Sequence, residues 1–248
     1  MLGLGTSILS PYVADAGYAN SHSLSLDGAG SGSDADFLDT NTTLQAQFRD
    51  SFSISLWVKL DEGRPSSSKY FVGASVSNNI IAFSVTLAGS IGFSHFANSD
   101  VAVESTDTAV FSAGANDWTH VGVVVTETGG DTGYKIYVNG DQVASSTLLA
   151  VSSTNHSQYT STTNLAFGAL NSSTASAGID GLIDECAFFD DALTDGEMLA
   201  IGGGGAPTDI TGHDHLYLYY QLNNSTTDEV GNSNGSLNGQ AAFSTTTP

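Results

Sequence analysis

The stretch I-D-G-L-I-D-E-C-A-F-F-D-D-A-L-T-D-G-E-M-L-A-I-G, residues 179–202, constrains this chain more than any other. Residues 179–189 read as a strand, and successive side chains on a strand point to opposite faces. Leu182, Asp184, Cys186 and Phe188 then share one face; Ile183, Glu185, Ala187 and Phe189 share the other. Both faces are apolar enough to be covered, as in a central strand packed on two sides. Each face also holds a carboxylate, and a buried charge needs a partner. The chain has only five Lys plus Arg against 26 Asp plus Glu, and no Lys or Arg follows Lys135. The partners left are backbone N–H groups or a bound Ca2+, which takes several hard oxygen ligands.

The second half of the stretch reads as a short helix. Thr194 followed by Glu197 is the capping-box pattern T-x-x-E. Met198, Leu199 and Ile201 supply an apolar side, and the glycine run from Gly202 ends the helix.

Composition narrows the function classes. The net charge of −21 comes from a shortage of bases, since charged residues are only 12% of 248, against about a quarter in an average protein. Nothing here could neutralise a row of phosphates, which argues against nucleic acid, and the sign is wrong for an anionic membrane surface. Cations, neutral glycans or a salty medium suit it better. Cys186 is the one cysteine, so no intramolecular disulfide forms; it reads as a small buried hydrophobe. The first ten residues lack the basic segment and apolar run of a signal peptide, and no stretch approaches the ~20 apolar residues of a membrane span. Synthesis in a cytoplasm is expected, with export by assembly into a particle still open.

Residues 1–21, broken by Gly3, Gly5, Pro11 and Gly17, read as an extended arm. Strands are expected at 22–27, 35–38 and 52–60. The last places Phe52, Ile54, Leu56, Val58 and Leu60 on one face and Ser53, Ser55, Trp57 and Lys59 on the other. A meander over 70–76, 80–87 and 91–96 follows, with a short strand at 101–105. Strands at 118–126, 134–138 and 142–145 come next, the last two joined by Asn139-Gly140, whose positions both tolerate the positive φ of a type I′ turn. Residues 146–163 read as a loop and 164–170 as a strand. Within a domain spanning 22–248, residues 202–214 form a Gly-rich connection, 216–222 a late aromatic strand and 223–248 a polar tail. The pattern is all-β: a two-sheet antiparallel β-sandwich with one short helix, of jelly-roll type.

The ordered motifs resemble the concanavalin A-like, laminin-G-like (LamG) jelly rolls. Ser23-Leu24-Ser25-Leu26-Asp27-Gly28 resembles their early S-x-x-F-D-G element. Trp118-Thr119-His120-Val121 and Tyr137-Val138-Asn139-Gly140 resemble their W-x-H-V and Y-V-N-G elements. Gly181-Leu182-Ile183-Asp184-Glu185 and Ala192-Leu193-Thr194 resemble G-x-I-D-E and the helix start after it. Both ends are similar to LamG-like proteins of marine tailed phages: Gly3-Leu4-Gly5-Thr6-Ser7-Ile8 at the start, then Tyr219-Tyr220-Gln221-Leu222 and the segment 228–248. Tyr220 stands where a tryptophan is usual and Gln221 where a base is usual.

The resemblance implies a structural Ca2+ held by Asp27 and Asp184, with Glu185 or Asp228 assisting. It implies a virion surface protein (capsid decoration, fibre or tail part), attached to other virion proteins through its arm and able to form homo-oligomers, with weak glycan affinity. The alternative is a secreted or cell-surface lectin-like module for polysaccharides. Trp57 and Trp118 are the rings a sugar face could stack on, although the position of Trp118 at a strand start favours core or edge packing. Hydrolysis is not expected: relatives that cleave glucans place their carboxylates in E-x-D-x-x-E, a string absent here, and Asp184 and Glu185 should face opposite ways. His213 and His215 read as surface histidines rather than metal ligands.

Overall fold

The computed structural model describes residues 18–28, 35–76, 79–97, 100–128, 131–149, 159–160, 162–171 and 177–248; most of the expected arm lies outside them. The strands among them are β1 (Ser23–Asp27), β2 (Phe37–Asp39), β3 (Phe52–Leu60), β4 (Lys69–Val76), β5 (Asn79–Val85), β6 (Ile91–Ala97), β7 (Asp100–Ser105), β8 (Thr119–Thr128), β9 (Asp131–Val138), β10 (Asp141–Leu149), β11 (Ala166–Phe167), β12 (Asp180–Phe189), β13 (Leu216–Tyr220), β14 (Ser236–Asn238) and β15 (Ala242–Ser244). One α-helix, α1 (Asp195–Gly202), follows β12. None of the described helices is long and apolar enough to cross a membrane.

The strands form two sheets. One runs β10-β9-β8-β3-β12-β1-β15, with β13 also on β12; the other runs β14-β2-β11-β4-β5-β6-β7. All the pairings between named strands are antiparallel. The apolar face of β3 points between the sheets as its alternation requires, and Phe52, Ile54, Leu56 and Val58 are fully buried there. Phe52 stacks on Phe188 at 5.7 Å and meets Phe48 edge-on at 5.1 Å. Each such ring contributes roughly 1.5–3 kcal/mol through burial.

The opposite face of β3, read from sequence as polar, is covered as well. Ser53 Oγ accepts from Leu193 N–H and donates to the Asp191 carbonyl, both at 2.9 Å, which ties the start of the helical layer to the sheet. Under that layer Met198 and Ile201 pack with Tyr137, Ala187, Phe189 and Tyr219. The capping box forms as read, Thr194 with Glu197. Leu199, expected on the packed side, is instead 50% exposed.

Strand β12 departs from simple alternation. Asp184 lies opposite Trp57, but Ala187 lies opposite Ser55, so β12 carries one residue more than β3 over this interval. This is a β-bulge, and Glu185 takes a φ of 51° within it. Ile183, Cys186 and Phe188 belong to the core between the sheets, while Ala187 and Phe189 face the helical layer. Cys186 is free and buried, as expected.

The tail is not merely polar. Residues 236–238 add β14 to β2 and residues 242–244 add β15 to β1, so the tail supplies a strand to each sheet. Leu237 and Phe243 pack against the core. The expected strand at 164–170 shrinks to Ala166–Phe167, and the one expected at 142–145 lengthens to Asp141–Leu149. The Asn139-Gly140 turn has positive φ at both positions, 49° and 79°.

His120 shows how tightly the helical layer seals. It is fully buried, with Nε2 2.9 Å from Ser55 Oγ and its ring edge-on to Trp57 at 5.6 Å. Burial pushes its pKa from 6.5 down to about 3. The unfolded chain therefore binds the proton first, so stability from the neutral ring is full above about pH 6.5 and is lost as pH falls toward 3. Chemical denaturation at pH 7 and pH 4.5 checks this. The native protein should lose roughly 2–3 kcal/mol more than His120→Gln between the two conditions; equal losses would contradict it.

Candidate functional site

Two places hold the polar groups that could serve a function. The first is the bulge. Along one edge of β12, β1 pairs with residues 180–183 and β13 with residues 186–189. Asp184 and Glu185 fall in the gap between these two partners. Residues 18–20, just before β1, lie across it. Asp184 is completely buried and Glu185 is 5% exposed.

Every carboxylate oxygen of this pair has a donor. Asn20 Nδ2 donates to Asp184 Oδ2 at 2.7 Å, and the Glu185 N–H donates to Asp184 Oδ1 at 3.0 Å. The Tyr18 and Tyr219 hydroxyls donate to Glu185 Oε1 and Oε2 respectively. Among the described residues no Lys, Arg or His forms an ion pair with either carboxylate. Burial raises both carboxyls well above the usual carboxylate range, and the Asp184 charge adds to the rise at Glu185. Tyr18 and Tyr219 are raised too, by burial first and then by Glu185.

The expectation that Asp184 and Glu185 face opposite ways is thus corrected. The extra residue of the bulge turns Glu185 toward Tyr219, which packs in the outer cluster beside Ala187. Both carboxylates lie on the outer side of the sheet, under the strap formed by Tyr18 and Asn20.

The four acids expected to share a Ca2+ do not converge. Among the described residues no group of three or more His, Cys, Asp or Glu is placed to hold a metal. Asp228 is buried, and its two oxygens accept four backbone N–H groups, from Tyr219, Val230, Asn232 and Ser233, at 2.7–3.2 Å. It organises the turn after β13. Asp27 is exposed at the end of β1, opposite Asp180. What remains for a hard cation is the Asp184–Glu185 pair together with Asn20 Oδ1, which is buried with no hydrogen-bond partner. These are oxygen donors, the chemistry calcium takes.

The second place is the rim where β1, β3 and β12 reach one end of the sandwich. A cleft of about 170 Å3 opens there between Gly28, Asp180 and the loop after β3. Gly63 (φ 68°) lies so close to the 112–115 loop that a Cβ would sit 2.1 Å from the Ala115 carbonyl oxygen. At Gly28 (φ 60°) a Cβ would sit 2.6 Å from the Cβ of Asp180. Glu62, Pro65, Ser66 and Lys69 complete the polar walls over Leu60. Lys69 Nζ donates to the Gly28 carbonyl at 3.4 Å. Partial burial, then Asp61 and Glu62, hold the Asp180 carboxyl above its ordinary value, against the pull of Lys69.

Neither expected sugar-stacking ring lines this cleft. Trp57 is 2% exposed and meets His120 edge-on at 5.6 Å, so it offers no ring face to a ligand. Trp118 is half-buried just before β8, with its indole N–H buried and unpaired. Sequence reasoning missed Tyr18, Asn20 and Tyr219 as partners of the acidic pair, and missed the cleft. His213 and His215 lie 3.7–3.8 Å from the carboxylates of Glu197, Asp190 and Asp191, and among the described residues no group of three or more His, Cys, Asp or Glu is placed to hold a metal.

Removing one donor from the buried pair should be costly. Tyr219→Phe leaves a Glu185 oxygen without its hydroxyl partner and should lower unfolding stability by about 1–3 kcal/mol. Tyr217→Phe, two residues away, should stay within about 0.5 kcal/mol of the native protein. Equal effects in urea denaturation would contradict the arrangement.

Comparison with known proteins places this geometry. Solved structures similar to the chain include a protein of suspected carbohydrate-binding function from Bacteroides ovatus ATCC 8483 (17% identity, TM-score 0.64, covering 92% of this chain and 60% of that one). They include the CBM40 of the Ruminococcus gnavus IT-sialidase bound to α2,3-sialyllactose (16%, 0.56, 72% and 96%) and the native heptameric SAP-like pentraxin of Limulus polyphemus (12%, 0.56, 92% and 96%). At these identities the likeness is one of fold, and the chain spans only 60% of the Bacteroides protein. No curated protein matches the chain. Residues 30–198 match the Laminin_G_3 family, and the chain belongs to that family, in the concanavalin A-like lectin/glucanases superfamily.

Proposed function

We propose that this chain is a non-catalytic, lectin-like module that binds a glycan in the rim cleft. The observation that carries the reading is the cleft itself: a concave, polar-walled site at the loop end of a sandwich of the lectin/glucanase superfamily. With no aromatic ring among the described residues of its walls, it holds sugar hydroxyls by hydrogen bonds rather than by stacking. Such contacts exchange for water at little net gain, so affinity for a short oligosaccharide should be weak, on the order of millimolar. Structures described as carbohydrate-binding among the neighbours support a module of this class. The virion role draws no such support, and most of the arm it relied on lies outside the described residues.

For calcium, we propose a single place beside the strap. The proposed ligands are Asp184, Glu185 and the Asn20 carbonyl oxygen, and a bound cation would let both acids ionise and would fasten the strap. Calorimetric titration with Ca2+ should show heat, and melting temperature should fall with chelator; no heat and no shift would remove the proposal.

Glycan binding is tested by titrating isotope-labelled protein with neutral oligosaccharides and following amide resonances. Shifts should centre on Gly28, Gly63 and Ser66. Ser66→Trp, at an exposed position in the cleft wall, should abolish them while leaving the fold's spectrum intact. Shifts elsewhere, unaffected by this change, would refute the placement.

A further inference from the structure

The cleft's walls carry an uneven set of charges. Glu62 and Asp180 line it, and Asp27, paired with Asp180 across the sheet, and Asp61, whose N–H donates to the Asp180 carbonyl, lie just behind that wall. They face a single ammonium, Lys69, which reaches back to the Gly28 carbonyl at 3.4 Å. Arg64, the other base of the loop, is exposed and is not part of the lining. A ligand carboxylate entering here meets several like charges and one cation already engaged within the wall. A ligand amine meets the reverse. The rest of the surface reinforces the sign, since the whole chain carries −21.

We infer that the rim cleft selects its glycans by charge: it gains from a free amino group on the sugar, accepts uncharged hexoses, and rejects sugar carboxylates. The inference rests on the cleft being the glycan site. It separates this chain from the CBM40 seen with sialyllactose, an acidic sugar, despite the shared fold. Two unit charges about 4 Å apart in water interact strongly enough for roughly a fivefold change in affinity. Exposed charges are screened within about 10 Å at 0.1 M salt. The selectivity should therefore be pronounced at low salt and fade as salt is added.

Three β1,4-linked tetrasaccharides of matched backbone test it: glucosamine tetrasaccharide at mildly acidic pH, where its amines are protonated, cellotetraose, and cellotetraose oxidised to carboxylates at C6. Affinities are read from amide shifts at Gly28, Gly63 and Ser66, so adhesion of a polycation elsewhere on an acidic protein does not count. The expected order is amine, then hydroxyl, then carboxylate, with roughly a fivefold or larger step from amine to hydroxyl at low salt. Glu62→Gln should reduce that step by about half or more. Asp50→Asn, which removes an exposed carboxylate just before β3 at the far end from the cleft, should leave it unchanged. Equal affinities for all three sugars at the cleft would overturn the charge selectivity and leave glycan binding standing, and tighter binding of the carboxylate would do the same. No shifts at the cleft with any sugar would overturn both.

Discussion

In a chain with 26 acidic side chains and five basic ones, none of the buried carboxylates among the described residues is satisfied by a salt bridge. An ionised carboxylate left alone in a protein interior is too costly to persist. The structure answers with neutral donors. Asp228 collects four backbone N–H groups, and Asp36 collects those of Asp27 and Gln240. Asp184 and Glu185 take an amide, a backbone N–H and two phenols. Each of these arrangements pins a segment of chain, local for Asp228 and distant in sequence for Asp36 and the acidic pair. Asp36 holds the turn between β14 and β15 against the end of β1, and Asp228 holds the loop after β13 against β13 itself. The acidic pair holds the strap before β1.

The bulge in β12 belongs to the same solution. Straight alternation would have sent Glu185 between the sheets, where Cys186 and Phe188 now pack. One extra residue turns both carboxylates outward, into the gap that β1 and β13 leave along the strand. There the strap and Tyr219 supply donors, while the helical layer excludes water from the neighbouring face. The same end-to-end sharing of β12 carries β1 to the rim, where Gly28 and Asp180 frame the cleft. The buried acidic pair and the rim cleft are thus connected through one strand.

Much of this was legible from residue order. The limits of β3, the Asn139-Gly140 turn and the Thr194–Glu197 capping box all rest on short-range rules, and they appear where those rules place them. The burial of β12 on both faces and of Cys186 followed from apolar content. What escaped was non-local or aperiodic. A bulge leaves no mark in a hydrophobic pattern until the partner strand is known, so Glu185 was set on the wrong face. Three-residue strands such as β14 and β15 are too short to show a period. Trp57 alternates with serines and so reads as exposed, but Ser53 is bonded to the chain leading into the helix and Ser55 to buried His120, and the ring is covered with them. Tyr18 and Asn20 lie more than 160 residues from their carboxylate partners, and no spacing rule spans that distance.

The account depends on the register of β12 against β3. Inter-strand nuclear Overhauser effects in the folded protein measure it directly. The bulge predicts backbone contacts pairing Asp184 with Trp57 and Ala187 with Ser55. Contacts pairing Ala187 with Ile54 would restore regular alternation, send Asp184 and Glu185 to opposite faces, and contradict the account.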